Sequence, residues 1–477
     1  MKPAELEMAH KLYEGSSQKT KRKELLKLIL QNPTLTDREA CHALYQKNSS
    51  SSYSHLKRKL IQDLGKVFYM VDHESQATLP KNVSKIYVRR MIQVINHLVT
   101  RNAFEAYEDM VKESIQLCDK FELYEEKLLI LQILFAKSAY VSKRSRFEEV
   151  YQELKNTNKQ VDLFIESQRL KDELSLHFTY DTNQSDHGSP EEFYKELKKL
   201  HKNSGSARIS ENYFIGAISY FERKHKFESA RKVAEKFREF MEESPTSFAK
   251  THLAGIQMKL SYFYLIAEKK KRALLHAENA LALFRKGTYN EWKVLELILQ
   301  IYFLQGDLPN AEKYLEKFKK HNAYKLRDEN KDVYDYHKAI LEFKKGRFQD
   351  AIFILNKSSD LKKKNTTWYI HNRILDMMCQ IEEGNYDIFE FKLNAFRKQF
   401  YTAFQKKEDR LSTIFNLLKS IKKHAFDFHL LTNKDSESLA KLSNGKGNFF
   451  WDPLEWEIIR FDKWVDEKAQ KQHRVAY

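Results

Sequence analysis

The sequence predicts an all-α protein, on three observations. Its 477 residues include only 12 Gly and 7 Pro, too few turn residues for many short strands. Leu, Lys, Glu and Ala, which favour helices, are abundant. Apolar residues recur at i, i+3, i+4 and i+7 over long stretches, the spacing of one helix face. With 42% hydrophobic, 31% charged and 13% aromatic residues, the composition is that of an ordered chain with ample packing material. Such a length predicts about two to four domains or one long repeat array.

Residues 1–72 read as short helices that make a small basic trihelical unit. The clearest helix start is Thr36-Asp37-Arg38-Glu39, where Thr36 can cap, Glu39 stands at the capping-box position, and Leu35 with Ala40 can form the hydrophobic staple. The preceding helix carries Leu25, Leu28 and Ile29 and stops at Asn32-Pro33. A polar turn leads into a longer helix striped by Leu56, Leu60, Leu64 and Val67. Residues 82–203 remain helical in pattern and are expected to form irregular paired helices. A polar loop from Asp181 ends in Ser189-Pro190-Glu191-Glu192, a helix start with Pro in its first turn.

Between Tyr213 and Phe400 a repeat emerges. Five first-helix stripes are Tyr213/Gly216/Ala217/Tyr220, Leu260/Phe263/Tyr264/Ala267, Leu295/Ile298/Leu299/Tyr302, Tyr336/Ala339/Ile340/Phe343 and Ile374/Met377/Met378/Ile381. Each is followed by a second stripe: Ala230/Ala234/Phe237, Ala273/Ala277/Ala280, Ala311/Leu315/Phe318, Ala351/Leu355/Ser358 and Phe389/Leu393/Phe396. The period is about 40 residues, the signature of stacked helical hairpins. At Phe303-Leu304-Gln305-Gly306-Asp307-Leu308, Phe343-Lys344-Lys345-Gly346-Arg347-Phe348 and Glu383-Gly384-Asn385-Tyr386, Gly closes the first helix and an aromatic or Leu follows two residues on.

These segments resemble the interhelix turn of the tetratricopeptide repeat, and the resemblance covers residues 206–403. It implies a right-handed α-solenoid, a binding surface for a peptide or protein on the first helices, and no catalysis. The period exceeds the family's ~34 residues, the family's repeat-end Pro is missing, and Phe389 stands where Ala is usual, which predicts longer connections and irregular curvature.

Residues 407–477 are expected to cap the array. A helix spans Leu411–Ile421, and Phe449-Phe450-Trp451-Asp452-Pro453 is expected to lead into a helix striped by Leu454, Ile458, Phe461 and Val465, with Trp456 and Trp464 beside it.

Lys and Arg number 83 against 66 Asp and Glu, a formal charge of +17 that favours acidic or polyanionic partners. The pattern contains no apolar run of spanning length and no signal-peptide core, so no membrane span and a cytoplasmic location are expected. Cys41, Cys118 and Cys379 form no CxxC pair and predict free thiols. HExxH, GxxxxGK, GxGxxG and GxSxG are absent, and His424 and His429 miss the i, i+4 spacing of a helical metal pair. No enzyme activity, cofactor or metal is expected.

The leading expectation is therefore an adaptor or scaffold that binds a protein or peptide between the first helices, with Asn212, Gln257, Gln300, His337 and Asn372 as candidate contacts. An alternative makes the protein a regulator whose helix-turn-helix-like N-terminal unit, carrying Lys21, Arg22, Lys23, His55, Lys57, Arg58 and Lys59, contacts DNA or RNA. That unit lacks the Asn, Gln and Arg set typical of base readout, and its turn is long for the motif. A third possibility is a structural subunit of a larger assembly. Basic runs at Lys269–Arg272, Lys344–Arg347 and Lys362–Lys364 are expected to be solvated turns.

Overall fold

The computed structural model describes residues 21–32, 35–70, 79–101, 103–141, 144–179, 189–244, 248–357, 365–403 and 409–475. Residues before 21, the loop at 180–188 and the Lys362–Lys364 run lie outside them. Among the described residues the protein is all-α, with 23 α-helices and no strand. The chain forms two compact units, residues 1–154 and 155–477.

The first unit opens with α1 (Lys21–Gln31), α2 (Asp37–Tyr45) and α3 (Ser51–Met70). They share a small core of Leu25, Leu26, Ala40, Cys41, Tyr53 and Leu60, while Ile29 is exposed. The Thr36 capping box forms as the sequence predicts. Asp37, next to that cap, accepts hydrogen bonds from the Tyr53 hydroxyl at 3.0 Å and from Lys57 at 2.8 Å, which ties α3 to the start of α2. Next come α4 (Pro80–Thr100), α5 (Phe104–Phe121) and α6 (Tyr124–Val141), packed through Val88, Ile92 and Ile95 against Val111, Cys118 and Ile130. Helix α7 (Arg144–Thr179) runs from the first unit into the second.

In the second unit α8 (Pro190–Ser204) begins at the Ser189 capping box with Pro190 in its first turn. The hairpins follow: α9 (Ala207–Arg223) with α10 (Phe227–Glu243), α11 (Lys250–Ile266) with α12 (Lys270–Leu283), and α13 (Tyr289–Gln305) with α14 (Leu308–Lys320). After a single turn, α15 (Ala323–Leu326), come α16 (Asp328–Lys344) with α17 (Phe348–Leu355) and α18 (Thr366–Glu382) with α19 (Tyr386–Ala403). Ala230, Ala234, Ala273, Ala277, Ala280, Ala311 and Ala351 are fully buried, the small side chains that let paired helices approach closely. The stack is an α-solenoid, and one core runs through it from Leu170 to Cys379. Gly216 serves the same end on α9: a Cβ there would stand 2.8 Å from Leu197 Cδ2 of α8.

One backbone device closes every first helix. Lys226 N–H donates to Phe221 C=O, Lys269 to Tyr264, Asp307 to Tyr302, Arg347 to Glu342 and Asn385 to Gln380, each spanning five residues around a left-handed residue. The left-handed position is Gly at 306, 346 and 384 but His225 and Glu268 in the first two hairpins. The device appears a sixth time, with Phe426 N–H on Ile421 C=O, where Ala425 and Phe426 hold positive φ. Thus α20 (Arg410–Lys423) and α21 (Phe428–Lys434) form a further hairpin, followed by α22 (Ser436–Asn444) and α23 (Phe461–Val475).

The C-terminal helix differs from its expectation. It begins at Phe461, not at Leu454, and residues 450–460 form a non-helical strap. Phe461 and Val465 pack with Phe389 and Phe415 in the terminal core, whereas Ile458 joins the core of the hairpins. Glu457 fixes the change of path, since its carboxylate accepts the Phe461 N–H at 2.9 Å and caps α23 there.

Candidate functional site

The strap crosses the face formed by the first helices. At its start Phe450 stacks on Phe227, ring centroids 5.0 Å apart, and meets His225 edge-on. Asp452 accepts a 2.9 Å hydrogen bond from the Tyr262 hydroxyl of α11. Further along, the Tyr336 hydroxyl of α16 donates to the Trp456 carbonyl at 2.5 Å, and the two rings meet edge to face. The far end is pinned by Arg410, whose guanidinium reaches Glu457 at 2.7 Å, Asp462 at 3.0 Å and the Leu442 carbonyl at 2.8 Å.

Between this strap and helices α9, α11 and α13 lies a cavity of ≈540 Å³. Met258, Leu297, Leu454 and Trp456 give it apolar walls, and Gly255 opens onto it with nothing within 4 Å of an added Cβ. Its rim is charged in compensated pairs. Lys259 bridges to Glu222 at 2.7 Å across the α9–α11 gap, and Lys293 bridges to Glu296 at 2.7 Å.

Electrostatics keep these groups in defined states. Burial, and then the neighbouring Asp452 carboxylate, push the Tyr262 phenol far above its usual range; burial does the same to Tyr336, so both remain donors. Burial raises Asp452, against the Leu454 N–H and the Tyr262 hydroxyl that favour its charge. Glu296 is the opposite case. Burial would raise it, but the hydrogen bond from His337 and the charge of Lys293 prevail and hold it down at about 2. This arrangement can hold a segment of apolar side chains and backbone carbonyls.

The five candidate contacts from the sequence are all buried, at 0–7% exposure. Asn212 donates to Ser167 at 2.9 Å, Gln257 pairs with His276 at 2.6 Å, and His337 with Glu296 at 3.1 Å. Of the five, only Gln300 lines the cavity; Asn372, whose Oδ1 has no partner, borders a ≈10 Å³ crevice near Trp368. Partners on adjoining helices draw Asn212, Gln257 and His337 inward, which periodicity alone could not reveal. What sequence reasoning missed is the strap. Its signal was the Phe450-Trp451-Asp452-Pro453 cluster, noted but joined to the following helix.

In the N-terminal unit several of the candidate cations have partners within the unit. Lys57 is held by Asp37 at 2.6 Å, Lys21 donates to the Leu44 carbonyl at 3.2 Å and lies 3.9 Å above the Tyr45 ring, and Arg58 contacts His55 at 3.1 Å. Lys23 and Lys59 are exposed and Arg22 half-buried.

The sequence matches no family model and no curated protein. The crystal structure of the apo form of RapI is similar in course, 13% identical, covering 80% of this chain and 98% of that one with a TM-score of 0.44. Among the described residues no group of three His, Cys, Asp or Glu is placed to hold a metal, and no helix is long and apolar enough to cross a membrane.

Proposed function

We propose that this protein is a non-enzymatic helical-repeat adaptor that holds a peptide or protein segment on its first-helix face, in the cavity beside the strap. The observation that carries the reading is that cavity of ≈540 Å³, walled by three successive first helices and by Leu454 and Trp456. Its size and mixture of apolar walls with a few placed polar groups are those of a binding site. Tyrosine hydroxyls kept protonated on that face already hold one non-helical segment, the strap, and the open part beside it, lined by Met258, Leu297 and Gln300, supports the binding of another chain.

The test is a cavity-filling substitution. An added Cβ at Gly255 meets nothing within 4 Å, so Gly255→Phe directs a ring into the cavity and the fold is expected to persist. Affinity purification with nuclease treatment, followed by mass spectrometry, is expected to recover partners with the wild type and to lose them with Gly255→Phe at unchanged melting temperature. Retention of the same partners by the variant would refute the site. Recovery that depends on nucleic acid would replace this reading with that of a DNA- or RNA-binding regulator.

A further inference from the structure

A second cavity, of ≈610 Å³, lies along the edge of the interhelix turns, where α23 and the strap roof the ends of α11, α13 and α16. Two basic turn runs noted in the sequence meet there: Lys270 from the start of α12 and Lys344 from the end of α16. From the roof, Arg460, Lys463 and Lys471 complete five cations against three carboxylates, Glu268, Glu382 and Glu467.

The pairings inside remove one charge of each sign and leave the excess of two cations in place. Glu382 is spent on the Trp464 indole N–H at 2.6 Å and on Lys468, outside the lining, at 3.1 Å. Arg460 is spent on Asp462 at 2.6 Å and lies over the Trp451 ring. Lys270 donates to the neutral Leu304 carbonyl, which leaves its charge uncompensated. Among the described residues Lys344, Lys463 and Lys471 have no carboxylate within ion-pairing distance. Burial lowers the Lys344 ammonium below the ordinary lysine range against the pull of Glu467, and Lys270 adds a smaller lowering. Independently, α12, which begins at the cavity wall, has neither a side-chain cap nor an acidic residue in its first turn, so its positive N-terminal end is not neutralised within the helix.

We propose that this cavity binds a small, multiply phosphorylated ligand, with Lys344, Lys463 and Lys471 as its principal contacts and Lys270 beside them. Phosphate is favoured over carboxylate because a small polyphosphate concentrates several negative charges in one compact ligand, while the one lining arginine, whose planar fork suits either group, is already engaged. What remains is compact ammonium groups from two sides, the point-charge chemistry suited to phosphoryl oxygens.

The test uses the full chain and inorganic pyrophosphate, measured by isothermal titration calorimetry at two salt concentrations, with citrate as the carboxylate comparator. Saturable pyrophosphate binding that weakens with salt is expected, with citrate at least tenfold weaker and with Lys344→Met reducing affinity by at least tenfold. Lys344→Met is also expected to melt at or above the wild-type temperature without ligand, since it removes a half-buried charge that makes no ion pair. The double variant Lys463→Met/Lys471→Met repeats the affinity test on exposed roof positions. Absence of saturable binding by the wild type, citrate binding as tight as pyrophosphate, wild-type affinity in either variant, or a lowered melting temperature of unliganded Lys344→Met would overturn the assignment.

Discussion

Gly346 shows at the level of one residue what the repeat demands. Its φ is 72°, and an added Cβ would meet nothing within 4 Å, so any cost of a side chain there is backbone strain alone. Gly346→Ala should therefore destabilise by about 1–2 kcal/mol, the cost of placing an L-residue in the left-handed region. Urea denaturation with an unchanged slope would measure it. The glycines at 306, 346 and 384 made three turns legible in the sequence. The turns at His225, Glu268 and Ala425-Phe426 use the same backbone geometry with side chains that tolerate it at a cost, so composition did not announce them. Residue patterning also placed Asn212, Gln257 and His337 off the apolar stripe, but hydrogen-bond partners on neighbouring helices decide that they are interior.

Among the elements, the strap departs furthest from sequence expectation. Leu454, Ile458, Phe461 and Val465 have helical spacing, yet the first half of that stripe is unwound. Groups that hold it in this path lie 190 and 120 residues away in sequence, at Tyr262 and Tyr336. Local pattern cannot register such partners. Its anchor gives a direct prediction. Arg410→Ala would strand the buried Glu457 carboxylate and leave Asp462 to Arg460 alone, at a cost of about 3–5 kcal/mol for a broken buried pair. Release of the strap is then expected to expose residues 450–460 to protease. Limited proteolysis should show cleavage there in the variant well before the wild type, and equal cleavage rates would reject the anchoring role.

At the scale of the whole molecule, stability should fall with acid well before the carboxylates titrate. Three histidines of the second unit, His201, His276 and His371, have their pKa values lowered, with burial the largest cause in each. The largest shift is that of His371, from 6.5 down to about 3, with Arg410 contributing after burial. A folded-state pKa below the unfolded one means that the unfolded chain binds the extra proton. The stability associated with His371 is thus complete above about pH 6.5 and is lost as pH falls toward 3, with a limiting slope of about 1.4 kcal/mol per pH unit. His371→Gln should flatten the dependence of unfolding free energy between pH 6.5 and 5, leaving the smaller contributions of the other two.

The sequence by itself determined the helical class, the hairpin period of about 40 residues, the trihelical start and the Ser189 and Thr36 helix caps, because each is set by local spacing and local hydrogen bonds. Only the tertiary structure decided where the polar groups and the charges go. The strap lies on the first-helix face because distant tyrosines and Arg410 satisfy its backbone and carboxylates, and Lys270 meets Lys344, Lys463 and Lys471 because stacking brings turns and roof together. Burial and long-range hydrogen bonding are properties of packed neighbours, and one strand of sequence carries no record of which neighbours it will have.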